Sequence, residues 1–134
     1  MSAPGDAREL AAVAAGGAAG ALARYALVDG LGPHGAGGWP WATFAANLIG
    51  CAVLGWLVTR LQERLPLSAY KRPLLGTGFC GALTTFSTFQ LELVDMLRAG
   101  NDGLAIAYAA ASVAAGFATV ALASSLTRRV RTVV

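Results

Sequence analysis

The sequence predicts an all-α membrane protein with four transmembrane helices. Of its 134 residues, 56% are hydrophobic and only 13% are charged, whereas a soluble domain carries about 25% charged residues. The mean hydropathy is +0.59. The chain also divides into four apolar segments, each close to the roughly 20 residues that a helix needs to cross the hydrocarbon core. We therefore interpret the chain as a single membrane domain, 1–134, whose predicted spans are 10–27, 41–58, 73–97 and 104–126.

The first span follows a short polar lead and is rich in alanine and glycine. Its apolar run exceeds the roughly 7–15 residues of a signal peptide, which favours a membrane helix. Gly16 and Gly20 form a small-xxx-small pair that lets another helix approach closely. Arg24 near the end of the span fits two interpretations. It either extends to the membrane surface or provides the positive lining of a water-filled mouth.

The second span begins where Trp39 and Trp41 mark a membrane boundary, since amphipathic aromatic residues concentrate there. Thr43, Asn47 and Gly50 share one face of this helix by their spacing. An amide deep in a membrane span should face protein or water. Asn47 therefore forms either an interhelical hydrogen bond worth about 1 kcal/mol or a donor that lines a pore, and its position does not decide between them.

The third span contains a stretch unlike a membrane helix, 76–89, in which glycine and hydroxyl residues are dense. Each glycine weakens a helix by about 1 kcal/mol relative to alanine, and the β-branched Thr84 and Thr85 add little helix preference. In a bilayer, a broken helix survives only where protein or a water-filled cavity satisfies its backbone. Channels and transporters place ion sites at such breaks. The alternative is a glycine-rich packing seam whose hydroxyls bond to their own helix.

The fourth span carries a stripe of polar and small residues on one face. A polar stripe on a membrane helix faces a partner or water and seldom lipid. Its members are Tyr108, Ser112, Gly116 and Thr119.

Basic residues flank the apolar segments, which favours the positive-inside rule over nucleic-acid binding as the reason for the net charge of +3. With four spans, both termini and the middle connection 59–72 lie on one side of the membrane. Eight basic residues fall on that side, and Arg24 and Arg98 fall on the other. The eight are Arg8, Arg60, Arg64, Lys71, Arg72, Arg128, Arg129 and Arg131. This bias predicts that the termini are cytoplasmic.

Three motifs together resemble the Fluc fluoride channels, also called CrcB. They are Gly17-x-x-Gly20-Ala21-x-x-Arg24-Tyr25, Asn47-x-x-Gly50 and Gly78-Phe79-Cys80-Gly81-Ala82-Leu83-Thr84-Thr85-Phe86-Ser87-Thr88-Phe89. The resemblance covers all four spans in order, and its third-span motif is the most specific part. It implies a passive, fluoride-selective channel that exports fluoride from the cytoplasm of a microbial cell through the plasma membrane and lowers fluoride toxicity. It also implies an antiparallel two-subunit assembly, in which each third helix is broken near the bilayer midplane and two pores follow the interface.

The same resemblance assigns roles to individual residues. The implied anion pathway comprises Phe86, Phe89, Asn47, Ser87, Thr88, Tyr108, Ser112 and Arg24. A structural sodium ion is implied at the dimer centre, held by the backbone carbonyls of Gly81 and Thr84. One departure is Gly116, where better-known members have serine, and a smaller one is Ala82, where the family often has glycine.

The chemistry of these residues agrees with the resemblance. Fluoride is small and strongly hydrated, so a pore must replace its water with donors while binding it weakly enough to release it. Neutral amide and hydroxyl donors meet that need, and the edges of phenyl rings carry the positive end of the ring quadrupole. Carbonyl oxygens at a broken helix suit a hard cation such as sodium.

Three other classes of protein are less consistent with the sequence. A small proton-coupled exporter needs a carboxylate inside its first span, where this chain has only Glu9 at the edge. A non-conducting membrane assembly subunit explains the glycines but not the run Thr-Thr-Phe-Ser-Thr-Phe at 84–89. An enzyme is disfavoured because no nucleophile–base pair is apparent, the only histidine is His34, and Cys51 and Cys80 fall inside spans as small apolar residues.

The charge bias also bears on the partner subunit. Family members that form homodimers insert in both orientations and should carry almost no bias. The strong bias here slightly favours a heterodimer, in which a homologous subunit of opposite orientation pairs with this chain, over a dual-topology homodimer.

Overall fold

The computed structural model of the chain describes residues 7–62 and 69–131. The first six residues, the middle of the connection with Arg64, and the side chain of Arg131 lie outside the described residues. The described part is mainly helical, and these residues contain no strand. Its elements are α1 (Ala7–Leu31), α2 (Trp41–Gln62), a π-helical segment (Pro73–Cys80), α3 (Gly81–Leu83), α4 (Phe86–Arg98) and α5 (Asp102–Arg131).

Three of the described helices are long and apolar enough to cross a membrane, Ala7–Leu31, Trp41–Leu61 and Asp102–Val130. The predicted third span is different, because a π-helix and one α-turn lead into an interruption before α4 begins. Thr84 and Thr85 are both extended, with ψ angles of 152° and 123°. The all-helical class is thus confirmed, and so is the expected break within the third segment.

The glycines of α1 bring its backbone against the π-helical segment. Gly16 and Gly20 are both buried. A Cβ atom at Gly16 would overlap the carbonyl oxygen of Leu74, and one at Gly20 would overlap that of Phe79. Only glycine permits this backbone contact, which confirms the close approach that the small-xxx-small pair predicts.

A second close contact joins α2 to α5. A Cβ atom at Gly55 would lie 2.9 Å from the carbonyl oxygen of Val120, so these helices also meet at backbone distance. The other face of α2 meets the π-helical segment and the break, where Gly50 lies against the Thr84 side chain. Helix α2 therefore contacts the break with one face and α5 with another.

The end of α4 is fixed by a Schellman motif. Gly100 has a φ of +77°, which favours glycine. Its N–H bonds the carbonyl of Leu97 at 3.1 Å, and the N–H of Asn101 bonds that of Met96 at 2.9 Å. The Asn101 side chain then donates to the carbonyl of Ala36 in the loop between α1 and α2, at 3.0 Å. This contact ties the two loops together at one end of the bundle.

Candidate functional site

The site is centred on the two extended residues between α3 and α4. Thr84 leaves the helix with its hydroxyl still donating to the carbonyl of Cys80 at 2.8 Å. Thr85 is the N-cap of α4, because its Oγ1 accepts a hydrogen bond from the Thr88 N–H at 3.2 Å. The break is therefore an ordered structure in which one threonine ends a helix and the next begins another.

Asn47 holds this break with two hydrogen bonds to one residue. Its Nδ2 donates to the carbonyl of Thr85 at 3.2 Å, and its Oδ1 accepts from the Thr85 N–H at 2.9 Å. In a continuous α-helix the Thr85 N–H would instead bond the carbonyl of Gly81. The carbonyl of Gly81 thus loses its helical donor, and a Cβ atom at this exposed glycine would meet nothing.

One cavity, which we call the arginine cavity, opens between α1, α2 and the start of α4. Its volume is about 340 Å³, and its polar lining comes from Arg24, Tyr25, Thr43, Thr85 and Thr88. The half-buried Arg24 provides this cavity with a cationic guanidinium and its N–H donors. Hydroxyls surround that charge, so the cavity suits a small anion.

A second cavity, the phenylalanine cavity, opens on the other side of the break. It measures about 330 Å³ and is lined by Asn47, Cys51, Thr84, Thr85, Phe86, Phe89, Ser112 and Val113. The rings of Phe86 and Phe89 have centroids 6.2 Å apart. The Oγ of Ser112 is buried and has no hydrogen-bond partner among the described residues. An unpaired buried hydroxyl costs free energy, so a ligand in this cavity would gain a donor from it.

A buried carboxylate lies beside this cavity. Glu92, on α4, is 8% exposed. Its Oε1 accepts from the Thr43 hydroxyl at 2.6 Å, and its Oε2 accepts from the Tyr108 hydroxyl at 2.7 Å. The His34 Nε2 lies 3.3 Å from Oε1. This hydrogen-bonded group joins both cavities, since Thr43 lines the first and Tyr108 packs on the ring of Phe89, with centroids 5.1 Å apart.

Sequence reasoning did not select Glu92 as a site residue. The available signal was a carboxylate inside a predicted membrane span, because such groups seldom face lipid and need partners. Because Glu92 lies near the end of the predicted span, a position at the membrane–water interface was equally consistent with the sequence.

The structure brings most of the predicted pathway residues together around Thr85. Asn47, Phe86, Phe89 and Ser112 line the phenylalanine cavity, while Arg24 and Thr88 line the arginine cavity. The Ser87 hydroxyl lies 3.3 Å from that of Thr85. Tyr108 lines neither cavity, because it is fully buried and its hydroxyl is directed to Glu92. Two cavities with polar groups in their walls meet at a broken helix that packs against membrane-spanning helices, an arrangement typical of multi-pass membrane proteins of the channel and transporter class.

Comparison with known proteins specifies the family. Residues 11–124 match the family model described as CrcB-like protein, Camphor Resistance (CrcB). A curated relative from Mycobacterium bovis, named fluoride-specific ion channel FluC 1, is 56% identical over 94% of this chain and 95% of its own length. Relatives named fluoride-specific ion channel FluC from Methanopyrus kandleri and Bordetella parapertussis are 47% and 44% identical, covering 85% and 84% of this chain and 85% and 87% of their own lengths. The chain belongs to the CrcB family of membrane ion channels, which are not enzymes.

Proposed function

We propose that this chain is a subunit of a passive, fluoride-selective channel that exports fluoride from the cytoplasm. The observation that carries the proposal is the meeting of the two cavities at Thr85, where Asn47 fixes the backbone. One cavity offers a cation and hydroxyls, and the other offers an amide, a free hydroxyl and two phenyl rings. The names of the relatives supply the identity of the anion, and the similarity extends over most of the chain.

The proposed pathway begins at Arg24, whose charge attracts anions into the arginine cavity. Thr88 and the N-terminus of α4 lie at the next position, and a helix N-terminus favours an anion. In the phenylalanine cavity, the second N–H of Asn47, the Ser112 hydroxyl and the ring edges of the two phenylalanines replace the water around fluoride. None of these groups carries a full positive charge, so the ion is not trapped.

The Glu92 group has a different proposed part in this pathway. The Tyr108 hydroxyl donates to Glu92, so it becomes a donor for fluoride only by turning away from the carboxylate. We propose that this group limits anion residence between the cavities.

A second subunit is part of the proposal because the phenylalanine cavity is open along the surface of one subunit. Phe86 is 73% exposed and Phe117 is 76% exposed. An antiparallel partner subunit would cover these rings and close two pores along the interface.

We propose that the two subunits share a structural sodium ion near the breaks. The carbonyl of Gly81 has lost its helical donor to Asn47, and Thr84 is the extended residue that follows α3. These oxygens are suitable ligands for a hard cation. Two carbonyls per subunit give a partial ligand set that a second, antiparallel subunit would complete. Replacing sodium by N-methylglucamine should then lower the thermal stability of the dimer without changing that of a monomeric preparation.

We propose that the termini are cytoplasmic and that the partner is a homologous subunit of opposite orientation, in slight preference to a second copy. Eight basic residues at one membrane side against two at the other support a single orientation. Reporter fusions at the C-terminus test this. Predominant cytoplasmic signal supports the heterodimer, whereas equal cytoplasmic and external signal, with fluoride flux from the protein purified alone, contradicts it.

Fluoride efflux from liposomes tests the function itself. Vesicles that contain the protein, purified together with any subunit that stays bound, are loaded with fluoride, and a fluoride electrode records its release. The proposal expects rapid release of fluoride and no comparable release of chloride. An exporter of another substrate or a non-conducting assembly subunit would release neither fluoride nor chloride.

A further inference from the structure

A groove away from the two cavities contains a half-buried arginine, Arg60. It lies between the last turns of α2 and α5, has a volume of about 250 Å³, and is lined by Trp56, Arg60, Leu126, Thr127 and Val130. The Arg60 Nε is buried and has no hydrogen-bond partner among the described residues. The guanidinium carbon lies 5.9 Å from the centre of the Trp56 ring. The ring orients the guanidinium but provides no acceptor for its N–H groups.

This groove lies further along α2 and α5 than the proposed anion pathway. Trp56 follows Asn47 by nine residues on α2, and Leu126 follows Val113 by thirteen residues on α5. At about 1.5 Å per residue, these separations are about 14 and 20 Å along the helix axes. Because Asn47 and Val113 line the phenylalanine cavity, the groove is a separate site nearer the ends of the two helices.

The groove combines a charged donor with apolar walls. Leu126 and Val130 are 52% and 69% exposed. The Thr127 hydroxyl donates to the carbonyl of Ala123 at 2.7 Å, so the N–H groups of Arg60 are the donors available to a ligand. The groove also lies where a membrane–water interface is expected, since α2 ends two residues after Arg60 and tryptophan concentrates at the edge of the hydrocarbon core.

We propose that the groove binds one anionic membrane lipid, whose phosphodiester pairs with Arg60 and whose acyl chain lies along Leu126 and Val130. A guanidinium fork matches two phosphate oxygens, and the Trp56 ring covers the glycerol region. Further basic residues at this end of the bundle raise the local concentration of anionic lipid. They are Lys71, Arg72, Arg128 and Arg129. A soluble phosphate would use the same donor but would leave the apolar walls uncovered, so the occupant is a lipid.

Native mass spectrometry of the assembled protein tests the proposal without using fluoride flux. The protein in detergent receives equal amounts of phosphatidylglycerol and phosphatidylcholine, and the retained lipids are counted. We expect the parent protein to retain phosphatidylglycerol preferentially. Arg60→Gln should weaken that retention about tenfold, as expected for the loss of a charge-assisted hydrogen bond to the phosphate. Arg60→Lys keeps the charge but not the fork, and it should retain an intermediate amount.

Arg72→Gln is the matched control, because Arg72 is exposed at the same end of the bundle but does not line the groove. It should leave retention within about twofold of the parent, because its charge does not contact a phosphate bound in the groove. Fluoride flux should be the same in both glutamine variants, so this test can fail while the proposed function stands.

Three results would overturn the proposal. Equal retention of the two lipids would indicate adventitious lipid only. Displacement of the lipid by millimolar inorganic phosphate would indicate a site for soluble anions. Equal retention in Arg60→Gln and the parent would mean that Arg60 contributes nothing, and that Glu63, three residues later and outside the described residues, is the candidate for its partner.

Discussion

Replacing Asn47 by aspartate separates the structural role of the amide from its role toward an anion. The two side chains have the same shape, so packing is preserved. Aspartate keeps the acceptor for the Thr85 N–H but loses the donor that lies 3.2 Å from the Thr85 carbonyl. Loss of one such bond, with the carbonyl left unpaired, costs about 1–3 kcal/mol of stability. We expect the protein to assemble with a lowered melting temperature.

The effect on anion flux should be larger than the effect on stability. The new carboxylate faces the phenylalanine cavity, where it would lie about 4 Å from a bound anion. At an effective dielectric constant of about 20, this repulsion is about 4 kcal/mol. Since each 1.4 kcal/mol is about a factor of ten, the occupancy of the cavity should fall about a thousandfold. Fluoride efflux from liposomes should therefore drop to the background of protein-free vesicles.

Asn101→Asp provides a control for the lost hydrogen bond. The Asn101 amide also donates to a backbone carbonyl, that of Ala36, at 3.0 Å, and it lines neither cavity. This variant should lose comparable stability and keep fluoride flux within about threefold of the parent, since it places no charge in the cavity. Asn47→Asp protein that is assembled and conducts at the parental rate would refute the assignment of Asn47 to the pathway.

Three further predictions concern the same region. Phe86→Ile and Phe89→Ile should both lower fluoride flux strongly in assembled protein. Phe89→Ile should also cost about 0.5–1.5 kcal/mol of stability, because it loses the contact between the Phe89 and Tyr108 rings. Normal flux in both variants would contradict their assignment to the pore lining. Glu92→Ala should lower the melting temperature because two buried hydroxyls lose their acceptor, and an unchanged melting temperature would mean that they find other partners. Gly20→Val should prevent correct packing of α1, because its side chain overlaps the π-helical segment. Gly30→Val is the control on the same helix, since a Cβ atom there meets nothing within 4 Å. Size-exclusion chromatography should show normal assembly for Gly30→Val only.

Local sequence rules predicted the break and the close helix contacts well. Glycine and β-branched threonine are poor helix formers, so a break was expected within the stretch 76–89, and the extended residues there are Thr84 and Thr85. The spacing of Gly16 and Gly20 similarly predicted a backbone contact on one face of α1. Both features depend on the local preferences of a few neighbouring residues, which the sequence contains directly.

Features that depend on distant partners were not predictable in this way. From the sequence, Asn47 fitted either a structural hydrogen bond or a donor that lines a pore. In the structure, Asn47 makes the hydrogen bond to Thr85 and also lines the phenylalanine cavity. The π-helical winding of Pro73–Cys80 was not predicted, and no motif indicated the contact between His34 and Glu92 across 58 positions. These features depend on contacts of α2 with the break, of α1 with the π-helical segment and of α4 with the loop before α2, which no short motif encodes.

The measurement that tests the central claim most directly compares the release of two anions from the same liposomes. Vesicles carrying the protein with its bound partner subunit are loaded with equal fluoride and chloride, and ion-selective electrodes record both. Our account predicts that fluoride leaves rapidly while chloride stays near the rate of protein-free vesicles, and that Asn47→Asp abolishes the fluoride signal. Release of neither anion, or of both at similar rates, would contradict a fluoride-selective pathway through the two cavities.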